Sequence, residues 1–336
     1  MLGLIFRRLI LMVFMLFGLL VITFLISNVA PGDPARLAAG PDATQEMVET
    51  IRHERGLDQP LPMRFVVYLG QIAHGDLGQS IYTGQPVAED LARFFPATLE
   101  LVLYSILFAI ILGVPLGILS AVRQNGAVDQ LIRIFAVSGV ALPMFWLGLM
   151  LQWYLGLNLD WFPLSGQLGI MTDPPTHLTG LLTVDSLLTG NFETFGEAIM
   201  HLVLPAITLS FPALASIIRV NRAEMLEALS KDYVINARAQ GISMWRIVGV
   251  YAFKNALLPT LAMIGLRFGW MLGGTVLVEG VFDWPGIGLY AANAAINSDF
   301  EPIMAVTLVL GACFMLANLF IDLAYATLDP RVRSQV

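Results

Sequence analysis

The chain's two lysines, Lys231 and Lys254, are the residues that would close a phosphate-binding loop. Neither ends a Gly-x-x-x-x-Gly-Lys-[Ser/Thr] run, so no nucleotide-binding loop of that type is present in this chain. The single cysteine, Cys313, has no partner for an intrachain disulfide or a thiolate metal cluster. His53, His74, His177 and His201 are scattered, and no His-Glu-x-x-His run occurs. His201 follows Glu197 by one helical turn, but two ligands do not make a zinc site, and a hydrogen-bonded interfacial histidine is the simpler reading. Ser210 lies nine residues past His201, about 14 Å along a helix, too far for a hydrogen bond. No catalytic, cofactor-binding or metal-ligating residue is therefore assigned, and an intramembrane enzyme is disfavoured.

The remaining chemistry suits movement of a solute. Arg267 stands inside an apolar run, where a charge is costly and ordinarily faces a cavity or a partner. It reads either as lining a passage or as reaching toward the inner headgroups. Glu279 and Asp283 flank an outer segment rich in Gly and Pro, and read either as a gate for a cationic group or as a solvated turn. The segment from Arg219 to Asn255 is too polar to span, yet Met225, Leu229, Tyr233, Ala237 and Gly241 recur at i, i+4. Gly241 suits the left-handed position after one helix, and Ser243 the N-cap of a second running from Met244 to Leu258. Ala237, Ala239 and Gly241 leave a slender turn between Arg238 and Arg246, one that can enter another protein's cleft. The alternative is an amphipathic helix with its cations at lipid headgroups.

The elements that position these residues follow from composition. The 336 residues are 57% hydrophobic and 13% charged, against roughly 25% charged in ordinary soluble domains. Mean hydropathy is +0.75. A soluble chain of this length cannot hide so much apolar surface, and disorder is excluded by the same values. Six runs match the roughly 20 residues that cross a bilayer: Leu9–Val29, Leu101–Val122, Ile134–Leu159, Ala198–Ile218, Ala256–Val278 and Ile303–Ile321. The first, preceded by Arg7 and Arg8, is too long for a cleaved signal and reads as a signal-anchor. Pro143, Pro205 and Pro212 are expected to kink the third and fourth spans. Gly265, Gly269, Gly273 and Gly274 in the fifth, and Gly113 and Gly117 in the second, mark close helix contacts.

Charge sorts the loops. With the N-terminus inside, 12 of the 18 basic residues are cytoplasmic. The segments Asp160–Glu197 and Glu279–Glu301 hold five and four acids and no Lys or Arg, which puts both outside. The net charge of −7 therefore belongs to the outer face, and nothing suggests a nucleic-acid partner. Residues 30–97 form an extracytoplasmic segment, either a lid on the helix ends or a docking surface. Within it Pro31-Gly32-Asp33-Pro34 stops the first helix, Thr44–Arg55 is a polar helix ending at Gly56, and His74–Ser80 is a turn.

The run Asp232-Tyr233-Val234-Ile235-Asn236-Ala237-Arg238-Ala239-Gln240-Gly241, followed by Lys254-Asn255-Ala256-Leu257-Leu258-Pro259, resembles the EAA loop of bacterial ABC importer permeases. It is most similar to the dipeptide, oligopeptide and nickel class, in which Ile235-Asn236-Ala237 stands where the general pattern has Glu-Ala-Ala. Gly75-Asp76-Leu77-Gly78, Pro96-Ala97-Thr98-Leu99-Glu100-Leu101, Phe282-Asp283-Trp284-Pro285-Gly286-Ile287-Gly288 and Asp329-Pro330-Arg331 resemble the first permease subunit of that class. Ser298-Asp299-Phe300 departs from the Arg-Asp-Tyr frequent there.

The resemblance implies an all-α polytopic membrane protein with six transmembrane helices in the type I ABC importer permease fold, with an extracytoplasmic insertion after helix 1. Its parts would be a signal-anchor helix (1–29), an extracytoplasmic segment (30–97), a five-helix core (98–322) with a cytoplasmic coupling loop (219–258), and a cytoplasmic tail (323–336). Asp232, Tyr233, Ala237, Arg238, Ala239 and Gly241 would meet an ATPase, and Arg267, Glu279 and Asp283 are candidates for the path. Implied partners are a second homologous permease, two ATPases carrying ATP and Mg, an extracytoplasmic solute-binding protein, and lipid. The chain would bind no cofactor. It would lie in the bacterial inner membrane with both termini cytoplasmic, importing di- or oligopeptides, with nickel chelates or glutathione as the alternative cargo. A stand-alone secondary transporter is the competing class, but it ordinarily buries coupling carboxylates at mid-depth, and Glu100 and Asp322 lie near span ends.

Overall fold

The computed structural model describes residues 2–29, 34–39, 43–54, 56–169 and 171–328. Pro31 to Asp33, Arg55, and the tail with Asp329, Pro330 and Arg331 lie outside the described residues. In chain order the helices are α1 (Leu2–Val29), α2 (Pro34–Ala39), α3 (Gln45–Glu54), α4 (Leu61–Ala73), α5 (Val87–Val122), α6 (Ala127–Ala141) and α7 (Met144–Leu151). They continue with α8 (Leu182–Leu188), α9 (Phe192–Leu229), α10 (Asp232–Ala239), α11 (Met244–Arg246), α12 (Phe253–Phe282), α13 (Ile287–Ile296) and α14 (Phe300–Leu328). Turns of π-helix extend α7 over Gln152–Asn158 and join α11 to α12 over Ile247–Ala252.

Five helices are long and apolar enough to span among the described residues, and a sixth span is a broken pair, α6 with α7 and its π extension, bent by 108°. The break sits at Leu142 and Pro143, both extended. Proline lacks the amide that would continue the helix and pushes the residue before it out of helical geometry. Pro205 and Pro212, by contrast, lie within the uninterrupted α9. The separate helix expected over Met244–Leu258 is instead the start of one 39-residue helical run ending at Phe282.

At 38 residues α9 is about 57 Å long, nearly twice the hydrocarbon thickness. It forms the central post, and glycine lets its neighbours approach. A Cβ on Gly113 or Gly117 of α5 would lie 2.9 Å from Ile217 or Asn221, and one on Gly139 of α6 would lie 2.7 Å from Ala215. The main core gathers Leu101, Leu204, Leu209, Leu214, Ile217 and Leu272 around this post. On α12, Gly265 and Gly269 admit Ile321 and Phe314 of α14, and Gly274 meets Met144, whereas nothing approaches Gly273. Most of the fifth-span glycine face is thus used within the chain.

Candidate functional site

The polar segment after α9 folds as expected from its glycine. Gly241 is left-handed, with φ +73°. Its amide donates to the Arg238 carbonyl at 3.0 Å, and the Ile242 amide donates to the Ala237 carbonyl at 3.1 Å. That pair of reversed bonds is the Schellman stop, and the apolar contact that accompanies it is present. Val234, Ala237 and Ile247 are buried together with Leu229 and Ile242 against them. Ser243 starts the next helix through its backbone, its carbonyl accepting from Arg246 and Ile247; its side chain makes no capping bond.

Five of the six residues expected to meet a partner are exposed here: Asp232, Tyr233, Arg238, Ala239 and Gly241. Ala237 is buried, so it fastens α10 to the following helix rather than contributing surface. Tyr233 is tied to α12, its hydroxyl accepting from Asn255 Nδ2 at 3.1 Å. The Lys231 ammonium pairs with Glu227 at 2.9 Å across one turn. α10 is therefore a short helix tied near its N-terminal end to both of the long helices that flank it.

A second group braces α9 just before this unit. Asp129, in the first turn of α6, is fully buried. Arg222 of α9 donates through Nε to Oδ1 at 2.7 Å and through Nη2 to Oδ2 at 2.8 Å. Ser120 Oγ, from the end of α5, donates to Oδ1 at 2.5 Å, and the amide of left-handed Asn125 donates to Oδ2 at 3.0 Å. One carboxylate thus joins α5, the α5–α6 turn, α6 and α9. The fork of a guanidinium fixes direction as well as distance. Sequence reasoning counted Arg222 only as an inner cation and did not single out Asp129, because the two are 93 residues apart.

The motifs at the far end of α12 converge as well. Trp284 is buried and donates its indole N–H to the Ala97 carbonyl at 2.9 Å. Thr98 Oγ1 donates to Glu279 at 2.7 Å while accepting from the Ile287 amide at 2.8 Å, and the Leu289 amide donates to the other Glu279 oxygen at 2.8 Å. Glu279 is 0% exposed. This corrects the solvated-turn reading: α12 runs on to Phe282 and Glu279 is buried within the fold. Asp283 is the left-handed cap of α12 and is exposed. Arg267 is half-buried in α12, and its buried Nε has no hydrogen-bond partner among the described residues.

Two further clamps were not legible in the sequence. Asp299 Oδ2 accepts from Ser80 Oγ at 2.8 Å and from the Ile81 amide at 2.7 Å, pinning the His74–Ser80 turn to the α13–α14 corner. Asp185 of α8 accepts from the Thr179 hydroxyl at 2.6 Å and amide at 2.8 Å and the Gly180 amide at 3.0 Å. Burial pushes the Asp185 carboxyl up, but these bonds outweigh it and hold it below its ordinary value. His201 donates through Nδ1 to the Ser165 carbonyl at 3.0 Å, the hydrogen-bonded role expected of it.

Known proteins align along the whole arrangement. The family described as "Binding-protein-dependent transport system inner membrane component" matches residues 113–334, and its N-terminal companion matches residues 1–102. The chain is 48% identical over 315 residues to the probable D,D-dipeptide transport system permease protein DdpB of Escherichia coli (strain K12), covering 94% of this chain and 93% of that protein. It is 39% identical to the dipeptide transport system permease protein DppB of Alkalihalophilus pseudofirmus, over 97% of this chain and 98% of that one. It is 35% identical to the glutathione transport system permease protein GsiC of Escherichia coli O6:H1, over 99% of each. A post of spanning helices, a braced polar elbow and these full-length matches together place the chain in the binding-protein-dependent transport system inner membrane component family, as a multi-pass permease subunit.

Proposed function

We propose that this chain is a membrane-spanning subunit of an ATP-driven importer of di- and oligopeptides, and that α10 is where the ATPase acts on it. The observation that carries the reading is the elbow itself: an exposed eight-residue helix, stopped by Gly241, clipped to α9 and α12, with α9 braced through Arg222 and Asp129. ATP and Mg sit on two partner ATPases. A second, homologous permease completes the passage, and an extracytoplasmic binding protein delivers cargo. The membrane is the bacterial inner membrane, with both termini cytoplasmic, in keeping with the distribution of basic residues.

Mechanically, closure of the ATPases moves α10 as a rigid body. The Val234, Ala237 and Ile247 cluster passes the motion to α12 and the Lys231–Glu227 turn passes it to α9. Because Asp129 also holds α5 and α6, the four helices move together, switching access between two states. Arg267 faces the passage in this account. A peptide carboxylate would satisfy a guanidinium whose buried Nε has no hydrogen-bond partner among the described residues.

Peptide cargo is supported by the printed names of the two dipeptide permeases, and glutathione, itself a tripeptide, by that of the third. The test is uptake of labelled dipeptide into proteoliposomes holding both permeases and both ATPases, with the extracytoplasmic binding protein supplied on the uptake side. ATP-dependent uptake that unlabelled dipeptide competes and a nickel chelate does not supports the reading. Uptake by this chain without ATPases would contradict it.

A further inference from the structure

The segment between α1 and α5 contains two helices of different character, and their exposed faces differ. On α3 the exposed residues include Glu46, Glu49, Thr50 and His53, while Val48 is 2% exposed, as on a helix that faces water. On α4 the exposed residues are Leu61, Pro62, Met63, Val66, Val67, Gly70, Gln71 and Ala73, and along the stripe Met63, Val66, Gly70 and Ala73 all of them are apolar. Met63 is 56% and Val66 62% exposed. Arg64 and the exposed Gln71, on the face beside that stripe, line a cavity of about 600 Å³ together with Val67, Gln59 and Gln79.

Depth can be read from α1. Arg8 pairs with Asp322 of α14 at 2.9 Å near one end, and Ser27 Oγ meets Met304 Sδ at 3.3 Å near the other. The 19 steps between Arg8 and Ser27 rise about 28 Å, close to the roughly 30 Å hydrocarbon core. Phe17 lies nine residues from Arg8 and ten from Ser27, at mid-depth. The Phe65 ring of α4 is 6.0 Å from that of Phe17 and 5.1 Å from that of Phe24. Tyr68 stacks on Phe24 at 5.7 Å. The level midway between Phe17 and Phe24 is on the order of 5 Å above the midplane, well inside the hydrocarbon.

We infer that α4 is immersed in the outer leaflet, a helix that enters the bilayer beside α1 without crossing it, and that acyl chains cover Met63, Val66, Gly70 and Ala73. Its neighbour α1 is itself exposed over most of its apolar length, including Val13 and Phe14, so α4 continues an already lipid-facing surface. A helix with an apolar outer stripe and an arginine turned to a polar cavity on its inner side is stable there and poorly placed in water. The inference requires that the chain spans a membrane, and it is independent of the cargo.

The test uses the complete transporter in lipid nanodiscs with Cys313→Ser and one nitroxide-labelled cysteine at a time. Val66→Cys and Met63→Cys report on α4; Phe14→Cys is the lipid reference and Glu49→Cys the aqueous one. Each variant must first retain ATP-dependent uptake, and either α4 position then serves. Collision with oxygen relative to a water-soluble nickel chelate should be several-fold higher at α4 than at Glu49→Cys, and near the Phe14→Cys value. A ratio matching Glu49→Cys would overturn the inference, with α4 in water. Low collision with both quenchers would overturn it equally, because a protein surface rather than lipid would then cover the stripe.

Discussion

Both carboxylate oxygens of Asp129 are held by one side chain, Arg222, at 2.7 and 2.8 Å, in a site where Asp129 is 0% exposed. A bidentate pair in such a place constrains the angle between α6 and α9 as well as their separation. Breaking it by Asp129→Ala should cost about 3–5 kcal/mol, since Arg222 would be left largely buried and uncompensated. Replacing both, as Asp129→Leu with Arg222→Met, should cost much less in thermal unfolding of the detergent-solubilised complex. If the pair transmits motion, the double variant should assemble and hydrolyse ATP yet transport poorly per ATP. Normal coupling in a stable double variant would assign the pair to stability alone.

Gly241 should tolerate Asn far better than Trp. Its φ of +73° makes any side chain strained, by about 1–2 kcal/mol, and Asn bears that conformation best. Nothing within the chain lies within 4 Å of where its Cβ would be, so bulk there meets only a partner. Gly241→Trp should therefore preserve the permease pair, measured by co-purification, and lower ATP-coupled uptake at least tenfold. Full uptake by this variant would remove the turn from the docking surface.

Glu279→Gln should weaken the outer end without changing cargo affinity. The carboxylate accepts from Thr98 and from the Leu289 amide, and an amide can match only one of the two without reorienting. Loss of one buried bond is worth about 1–3 kcal/mol. The melting temperature should fall while the KM for peptide uptake stays within twofold. A large KM change at unaltered stability would return Glu279 to the path.

The loop over Thr179 and Gly180 should hold through mild acid. The Asp185 carboxyl is depressed in the folded chain, so its contribution is fully present above the unfolded value of 3.8 and is lost as pH falls through the lower folded value. Amide exchange in this loop should be flat in protection between pH 7 and 5 after correction for intrinsic rates, and should open below about pH 4. Asp185→Asn should open it at all these pH values.

What was legible in the sequence was local. Apolar length marked the spans, and one glycine after a run of i, i+4 spacing marked the elbow at Gly241, because a Schellman stop needs only neighbouring residues. Pro143 announced a break, but the 108° angle depends on how α6 and α7 pack, which no local pattern carries. α12 continues to Phe282, but Glu279 reads as a turn residue because glycines and prolines follow it. Its buried partner Thr98 is 181 residues away, and only the fold brings them together. Asp129 with Arg222, and Asp299 with Ser80, were missed for the same reason: a charge total says how many ions are present and not which are paired.

The most direct test of the account places a photo-crosslinking amino acid at Ala239, with Trp161 as a control position in a segment expected outside; both residues are exposed. Irradiation of the assembled transporter should join position 239 to an ATPase subunit, in a yield that changes with bound nucleotide, and position 161 to neither ATPase. Adducts from position 239 to lipid or to the extracytoplasmic binding protein alone, with no ATPase adduct, would contradict the claim that α10 receives the work of ATP hydrolysis.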